Sequence, residues 1–352
     1  MRLSTTIKTL AIAGLAGGLA ITLATSAGAQ DKVRWKMQSA FGSKLSVIGE
    51  TAPRFSNNIK RVSGGTLQIK FFEPGALVPT LEGFDAVKAG SIDAMWGTAG
   101  YHVGKIPALA WFTAVPFGPG PAEMMAWLYM AGGDEIYNRI YAEHGLIGIH
   151  CGIIAPEASG WFRKEINSVD DLKGLKMRFF GLGAQVMQKL GVSTQLLAAA
   201  DIYPALERGV IDATEFSMPS IDRDLGFFEI AKHYYFPGWH QQSSVLELLL
   251  NEKQWGGLSD QHQAMIEITC GDSIRNMIAL AEYKQPAALK FLKLKGVTIH
   301  QWPPEFLAAV KKAWEEVVVE QSAKDPLFKE IYDHYTAFRA DYAQWKVLGY
   351  LQ

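Results

Sequence analysis

The chain has 352 residues, 34 Lys and Arg against 35 Asp and Glu, and 49% hydrophobic residues. A formal net charge of -1 is too close to balance to point to nucleic acid or an anionic membrane surface as partner. The length suggests about two domains with a large buried core.

The first segment reads as an address. Arg2 and Lys8 precede a mostly apolar run, Leu10 to Leu23, and the small residues Ala27-Gly28-Ala29 follow. This is the pattern of a secretory signal peptide, residues 1–29, with cleavage expected after Ala29 and export of the mature chain. Cleavage removes two positive charges and no acid, which leaves a formal charge of -3. No later stretch runs to about eighteen uninterrupted apolar residues, so no membrane-crossing helix is predicted in the mature chain.

In chain order, strand Val33–Met37 is followed by a turn at Gln38–Gly42, an amphipathic helix Leu45–Val62 and strand Leu67–Phe72. A helix ending at Gly90 and strand Ile92–Trp96 come next. The proline-rich stretch Ile106–Pro121 is irregular, and one helix is predicted over Ala122–His144. A second cycle runs through strands Leu146–Ile154, Trp161–Lys164 and Leu175–Phe179, helix Gly183–Leu190, strand Ser193–Gln195, helix Ile202–Arg208 and strand Asp212–Phe216. Strand Ser243–Leu250 follows, then helix from Ser259 toward Leu294, a short strand Val297–Gln301, and helices Pro304–Ser322 and Pro326–Leu348. Alternation of strands and helices predicts α/β layers on a mainly parallel sheet.

One phrase occurs twice. Ala86–Ala94 (AVKAGSIDA) and Ala205–Ala213 (ALERGVIDA) each read as a helix end, a stopping glycine and a strand opening on Ile-Asp-Ala. Two such copies suggest two similar lobes, and pockets favour the cleft between lobes. No flexible linker separates them, which argues for strands crossing directly from lobe to lobe. Cys151 lies in a predicted strand and Cys270 near the end of a helical pattern, and two separate buried thiols are expected.

Enzyme motifs are absent: no Gly-x-Ser-x-Gly, no phosphate loop and no His-Glu-x-x-His. Gly181-Leu182-Gly183 lacks the third glycine of a dinucleotide fingerprint and reads as a strand-to-helix turn. The histidines show no metal-like pairing and are expected to be solvated or to cap the core. Three residues stand out. Arg178 ends an apolar strand, where burial without an anionic partner is costly and where its planar fork suits a carboxylate. Glu215 directly follows the second Ile-Asp-Ala strand, and Glu157 sits in a loop between two apolar strands. These three groups are compatible with a catalytic acid/base set, a cation site, a structural ion pair or surface positions. Spacing alone does not choose.

The stretch Asp171-Leu172-Lys173-Gly174-Leu175-Lys176-Met177-Arg178 decides the family. Together with Phe84–Ala94, Phe112–Gly118, Gly160-Trp161-Phe162 and Asp212–Glu215, it resembles the extracytoplasmic solute-binding proteins of TRAP (tripartite ATP-independent periplasmic) transporters, DctP type. The resemblance covers nearly all of the mature chain. It implies a two-lobed periplasmic binding protein fold with crossing hinge strands and long C-terminal helices, no catalysis, and a ligand carboxylate held by Arg178. Val115–Gly118, Glu215 and Tyr234–Trp239 look most like the branch that binds 2-oxo acids and lactate.

That branch implies a cation, Ca²⁺ or Na⁺, held by a glutamine, an acid and a carbonyl. Here the acid falls on Glu215 and the carbonyl on Phe216, while Glu157 stands where the branch has glutamine. Two carboxylates favour a divalent ion. Tyr101, Phe216, Trp239 and Gln241 match the aromatic wall and polar groups around the ligand. Residues 30–155 plus 243–285 are expected to form lobe one, 156–242 plus 286–303 lobe two, and 304–352 helices that wrap both lobes or support a homodimer. Segments Glu215–Ser217 and Ser243–Leu250 are the expected hinge. The implied partners are a small organic acid and the transporter's membrane subunits. An aromatic or larger carboxylate is the alternative ligand, and a secreted hydrolase using Glu157 and Glu215 the alternative of another class.

Overall fold

A computed structural model describes residues Lys32–Leu351; the signal segment expected over residues 1–29 lies outside the described residues. The elements in chain order are β1 (Val33–Ser39), α1 (Ile48–Val62), β2 (Leu67–Phe72), α2 (Gly83–Lys88), β3 (Ala94–Gly97), α3 (Pro121–Met130), α4 (Gly133–Ala142) and β4 (Leu146–Ile154). They continue with β5 (Gly160–Phe162), β6 (Lys176–Arg178), α5 (Gly181–Lys189), β7 (Ser193–Gln195), α6 (Ala199–Glu207), β8 (Ala213–Thr214), α7 (Pro219–Asp224) and β9 (His233–Phe236). The last are β10 (Ser244–Asn251), α8 (Glu252–Gly256), α9 (Asp260–Leu294), β11 (Thr298–Gln301), α10 (Pro304–Lys324) and α11 (Pro326–Gly349).

The strands form two sheets. Lobe one carries the order β2-β1-β3-β10-β4 and lobe two the order β11-β9-β5-β8-β6-β7. Both sheets are mixed, which corrects the expectation of a mainly parallel one. Within each lobe the strands linked by helices are parallel, as in β1–β3 and β6–β8. The strands entering from the other lobe are antiparallel: β10 pairs that way with β3 and β4, and β5 with β8 and β9. The reason is topological, since a chain that crosses over and returns comes back in the opposite direction without a crossover helix.

The chain passes from lobe one to lobe two between Ile154 and Gly160 and returns between Phe236 and Ser244. It crosses again through the 35-residue α9, which packs on β4, α1 and α7 before leading to β11. The C-terminal helices touch both lobes. Helix α10 packs on α5, and α11 packs beside α3, where Phe328, Tyr332 and Tyr335 surround the Trp111 ring. Asp325 caps α11 through the N–H groups of Leu327 and Phe328, so the Asp-Pro pair turns one helix into two.

Two further corrections concern local structure. The helix expected over Ala122–His144 is two helices, because Gly132 takes a left-handed φ of 89° between α3 and α4. Cys151 on β4 and Cys270 on α9, expected to remain thiols, form a disulfide with Cα atoms 4.1 Å apart. Their separation of 119 residues hides a contact made only when α9 docks across β4. Among the described residues no helix is long and apolar enough to cross a membrane.

Candidate functional site

The site sits where the ends of β6 and β8 in lobe two face the Tyr101 turn of lobe one. Arg178 is the last residue of β6, in register with Thr214 of β8. Its guanidinium is almost fully buried: Nη1 donates to the Glu215 carbonyl and to Glu215 Oε1, both at 2.8 Å, and Nε donates to the Leu197 carbonyl at 3.3 Å. Nη2 makes none of these bonds, and the head group lines a small cavity. The Phe216 ring lies 5.1 Å from the guanidinium carbon, within cation–π range.

Glu215 is fully buried. Besides Arg178, its Oε1 accepts the N–H of Phe180 at 2.5 Å. Burial pushes this carboxyl up, but Arg178, the neighbouring His240 and the Phe180 N–H outweigh it and hold the group below the usual range. Glu157 shows the opposite balance. Burial, then the charge of Glu215, raises it well above the ordinary carboxyl range, against the 2.7 Å hydrogen bond that Ser217 Oγ donates to its Oε1. Glu157 and Gln241 are tied together through the backbone, with Glu157 N–H donating to the Gln241 carbonyl at 3.2 Å.

The cavity has a volume of about 40 Å³ and is lined by Arg178, Glu157, Gln241, Phe216, Ser217 and Tyr101, with Thr98, Phe41, Phe180 and Ser244 beside them. Burial raises the Tyr101 hydroxyl to about 12, against the pull of Arg178, so it is a neutral donor at physiological pH. Its ring meets Phe180 of lobe two edge-on at 5.5 Å. Five of the seven sequence-predicted site residues line this cavity, and Glu215 sits behind it on Arg178. The seventh, Trp239, lies outside the cavity lining: its ring stacks near Phe117 and Phe179, and its carbonyl accepts the Phe117 N–H at 2.7 Å.

The sequence reading missed His240. Its ring is 1% exposed, and Nε2 lies 3.6 Å from Glu215 Oε2 and 3.8 Å from Glu157 Oε2. Those spacings exceed a hydrogen bond. The only available signal was its place between Trp239 and Gln241, in a segment already chosen. His102 and His150, by contrast, are buried beside Glu247 and Asp134 in lobe one, as core-capping histidines are expected to be.

These residues fit a bound cation. Glu157 Oε2, Glu215 Oε2 and Gln241 Oε1 are buried oxygens with no hydrogen-bond partner, an arrangement that is costly unless something positive fills the space. Glu157, Glu215 and His240 offer ligand atoms that all lie within 4.8 Å of one another. Larger cavities exist, of about 670 Å³ against the outer edge of β4 and about 890 Å³ near Lys44, Glu73 and Asp201, but neither is lined by a buried arginine.

Comparison with known proteins places this geometry. A Nostoc protein named monocarboxylate 2-oxoacid-binding periplasmic protein is 37% identical over 314 residues, 89% of this chain and 86% of its own. The crystal structure of a TRAP solute-binding protein from Bordetella bronchiseptica, a mixed-occupancy dimer with copurified calcium and picolinate, superposes with a TM-score of 0.89 at 35% identity, covering 91% of this chain and 95% of that one. One from Colwellia psychrerythraea, with bound calcium and pyruvate, gives 0.86 at 32% identity, covering 91% and 98%. One from Pseudoalteromonas atlantica, with bound sodium and pyruvate, gives 0.87 at 31%, covering 91% and 97%. The model of bacterial extracellular solute-binding proteins of family 7, DctP, matches residues 39–325, and the chain belongs to that family of periplasmic, non-catalytic TRAP-transporter binding proteins.

Proposed function

We propose that this protein captures a small 2-oxo or 2-hydroxy monocarboxylate of about the size of pyruvate and delivers it to the membrane subunits of a TRAP transporter. The observation that carries the reading is a buried arginine facing a small cavity of about 40 Å³ that Tyr101 lines from the other lobe. That volume favours a three- or four-carbon acid over an aromatic or larger carboxylate. The pyruvate in two structural relatives supports the same size class.

In this reading Arg178 grips the ligand carboxylate, and Tyr101 donates to it from the opposite lobe. Closure excludes water. An ion pair at about 4 Å gains roughly 4 kcal/mol in a protein-like dielectric against about 1 in water, so the dry cleft strengthens the grip. The segments Ile154–Gly160 and Phe236–Ser244, which join the lobes, would bend as the hinge; this corrects the expected Glu215–Ser217, which joins β8 to α7 inside lobe two, and Ser243–Leu250, which is almost all strand β10 of lobe one. A cation held by Glu157, Glu215 and the Phe216 carbonyl would supply positive charge against the ligand anion. The carboxylate pair by itself favours Ca²⁺ over Na⁺, since calcium is a hard ion that gathers anionic oxygens. Binding it would also take the proton from Glu157. The exposed apolar end of the chain, Val347 and Leu348 on α11 and Leu351 just past it, supports a homodimer built there.

Calorimetric titration with pyruvate, 2-oxobutyrate, lactate and benzoate tests the ligand class. Tight binding of the first two, weaker binding of lactate and none of benzoate is expected. Binding of neutral sugars or amines alone would overturn it. Pyruvate binding that survives exhaustive chelation in sodium-free buffer would remove the cation from the reading.

A further inference from the structure

The loop that enters α1 holds a conformation its own residues disfavour. Val47 takes φ 65° and ψ -79°, and the N–H of Ile48 donates back to the Ser46 carbonyl at 2.8 Å. Together these make Ser46-Val47-Ile48 a γ-turn of the rare, strained hand. A β-branched residue at positive φ is an outlier, and such strain persists only where the surroundings over-determine it.

Most of what holds the turn belongs to lobe one. Val47 N–H donates to Glu50 Oε1 at 2.8 Å, its carbonyl accepts the Thr51 hydroxyl at 2.6 Å, and its side chain is fully buried. The chain before it is folded back tightly, since a Cβ added at Gly49 would lie 2.0 Å from the Gly42 carbonyl oxygen. Ser46 supplies a tie to the other lobe. Its N–H donates at 2.9 Å to Oδ2 of Asp224, the last residue of α7, which follows β8 of lobe two. Oδ1 of the same carboxylate is held by Arg223 at 2.8 Å, which leaves Oδ2 to Ser46. A carboxylate gains nothing from the free carbonyls at the end of its own helix, so the position is better explained by what it holds across the lobes.

The turn leads into the ligand cavity. Ile48, the first residue of α1, lines that cavity, as does Phe41 at the other end of the same loop, and Ile154 and Leu246 add to the apolar lining. We propose that Asp224 is a positioning residue for the ligand: through the Ser46 N–H, lobe two holds the strained turn in the shape that seats Ile48 and Phe41 against the carbon chain of a small 2-oxo acid. The inference rests on the proposed function. When the lobes part, the bond to Asp224 breaks and the turn relaxes; closure re-forms it. The apolar wall is therefore assembled by closure and does not stand ready in the open lobe.

Calorimetry of the mature chain with 2-oxo acids, paired with amide exchange read by NMR, tests this. Asp224→Ala should lower pyruvate affinity about tenfold through the lost charge-assisted hydrogen bond, while the melting temperature of the free protein stays within about two degrees. Affinity for 2-oxobutyrate should fall by no more than about threefold, because a loosened wall admits the extra methylene. Asp224→Asn, whose side-chain oxygen still accepts the Ser46 N–H, should return pyruvate affinity to within about threefold of the unaltered chain. Pyruvate should slow exchange of the Ser46 N–H at least about tenfold in the unaltered protein and leave it unchanged in Asp224→Ala. The exchange is read on the unaltered protein first, so the test stands even if the alanine variant folds poorly. Equal pyruvate affinity in Asp224→Ala and the unaltered chain, or Ser46 exchange that pyruvate does not slow, overturns the role of Asp224 and leaves the proposed function standing. No pyruvate binding by the unaltered chain overturns both.

Discussion

The two copies of the Ile-Asp-Ala phrase build the same frame and fill it differently. In each, the glycine after the helix is left-handed, Gly90 at φ 72° and Gly209 at φ 70°. Each aspartate then braces the neighbouring strand. Asp93 Oδ2 accepts the N–H of Lys36 at 2.7 Å and Asp212 Oδ2 that of Lys176 at 2.9 Å, while the aspartate N–H groups return to the carbonyls of the same lysines. The register continues the parallel, since Met37 pairs with Ala94 and Met177 with Ala213. Lys36-Met37-Gln38 thus corresponds to Lys176-Met177-Arg178, and Trp96 to Glu215.

At those matched positions lobe one is built for packing. Gln38 satisfies its amide on the loop at Leu77 and Val78, and the Trp96 ring is buried 5.4 Å from that of Phe55. Lobe two places an arginine and a glutamate there, both buried, in an arrangement that costs desolvation rather than gaining apolar burial. The difference teaches that the frame aims whatever residue it carries at the cleft side of the sheet. Lobe one gives the position to stability, and in the proposed function lobe two gives it to binding.

Substitutions at matched positions separate the two uses, the largest effect first. Arg178→Ala should abolish pyruvate binding and also lower stability by about 3–5 kcal/mol, because Glu215 is left buried without its counter-charge. Its match, Gln38→Ala, should cost about 1–3 kcal/mol through the orphaned Leu77 and Val78 groups and change pyruvate affinity by less than about threefold. Calorimetry and urea melts of the two variants check both. Equal losses of affinity would break the division of labour.

The next test touches the contact between lobes. A Cβ added at Gly100 would lie 1.9 Å from Phe180 Cζ, across the cleft beside Tyr101. Gly100→Ala should therefore weaken pyruvate binding at least about tenfold and keep the protein open in small-angle scattering even with ligand, while the melt of the free protein moves little. Undiminished closure would place the hinge stop elsewhere.

A pH series sharpens the picture of lobe two as the costly half. Burial raises Asp222 from 3.8 to about 7, against hydrogen bonds donated by Trp161 Nε1 and the Tyr234 hydroxyl. The folded state then holds a proton that the unfolded chain has released, so stability falls as pH rises from about 4 to about 7 and levels off above. Glu157 acts in the same direction in the chelated protein. Melting temperatures should drop by several degrees over that window, with a visibly shallower slope in Asp222→Asn. The smallest effect is expected from the shared frame itself. Asp93→Ala and Asp212→Ala should each cost about 1–2 kcal/mol, matched within error, and a marked inequality in their melts would show that the two frames are not equivalent.

Much of this was legible in the chain. The strands β2, β4 and β7 fall where local pattern puts them, because alternation, glycine and proline act over a few residues. Arg178, Glu157 and Glu215 were visible as charges out of place in apolar surroundings, a signal that also needs only neighbours. His240 carried no such signal, since a histidine beside a tryptophan is ordinary in sequence and unusual only once two unpartnered carboxylate oxygens stand within 4 Å of it. Strand β9 and helix α7 were likewise unread, being short segments whose burial comes from lobe two's sheet and from α9 rather than from their own periodicity.

The sequence by itself determined the export-like leader, the doubled helix–glycine–strand frame and the arginine that ends β6, all consequences of local propensity and of the cost of burying charge. Tertiary structure alone decided that the returning strands run antiparallel, that Cys151 meets Cys270, and that Trp239 packs against Phe117 and Phe179 while His240 is buried within 4 Å of Glu157 and Glu215. Each of these depends on which surfaces meet after the chain has crossed between lobes. Contacts between residues tens or hundreds of positions apart are set by packing, and no local pattern encodes them.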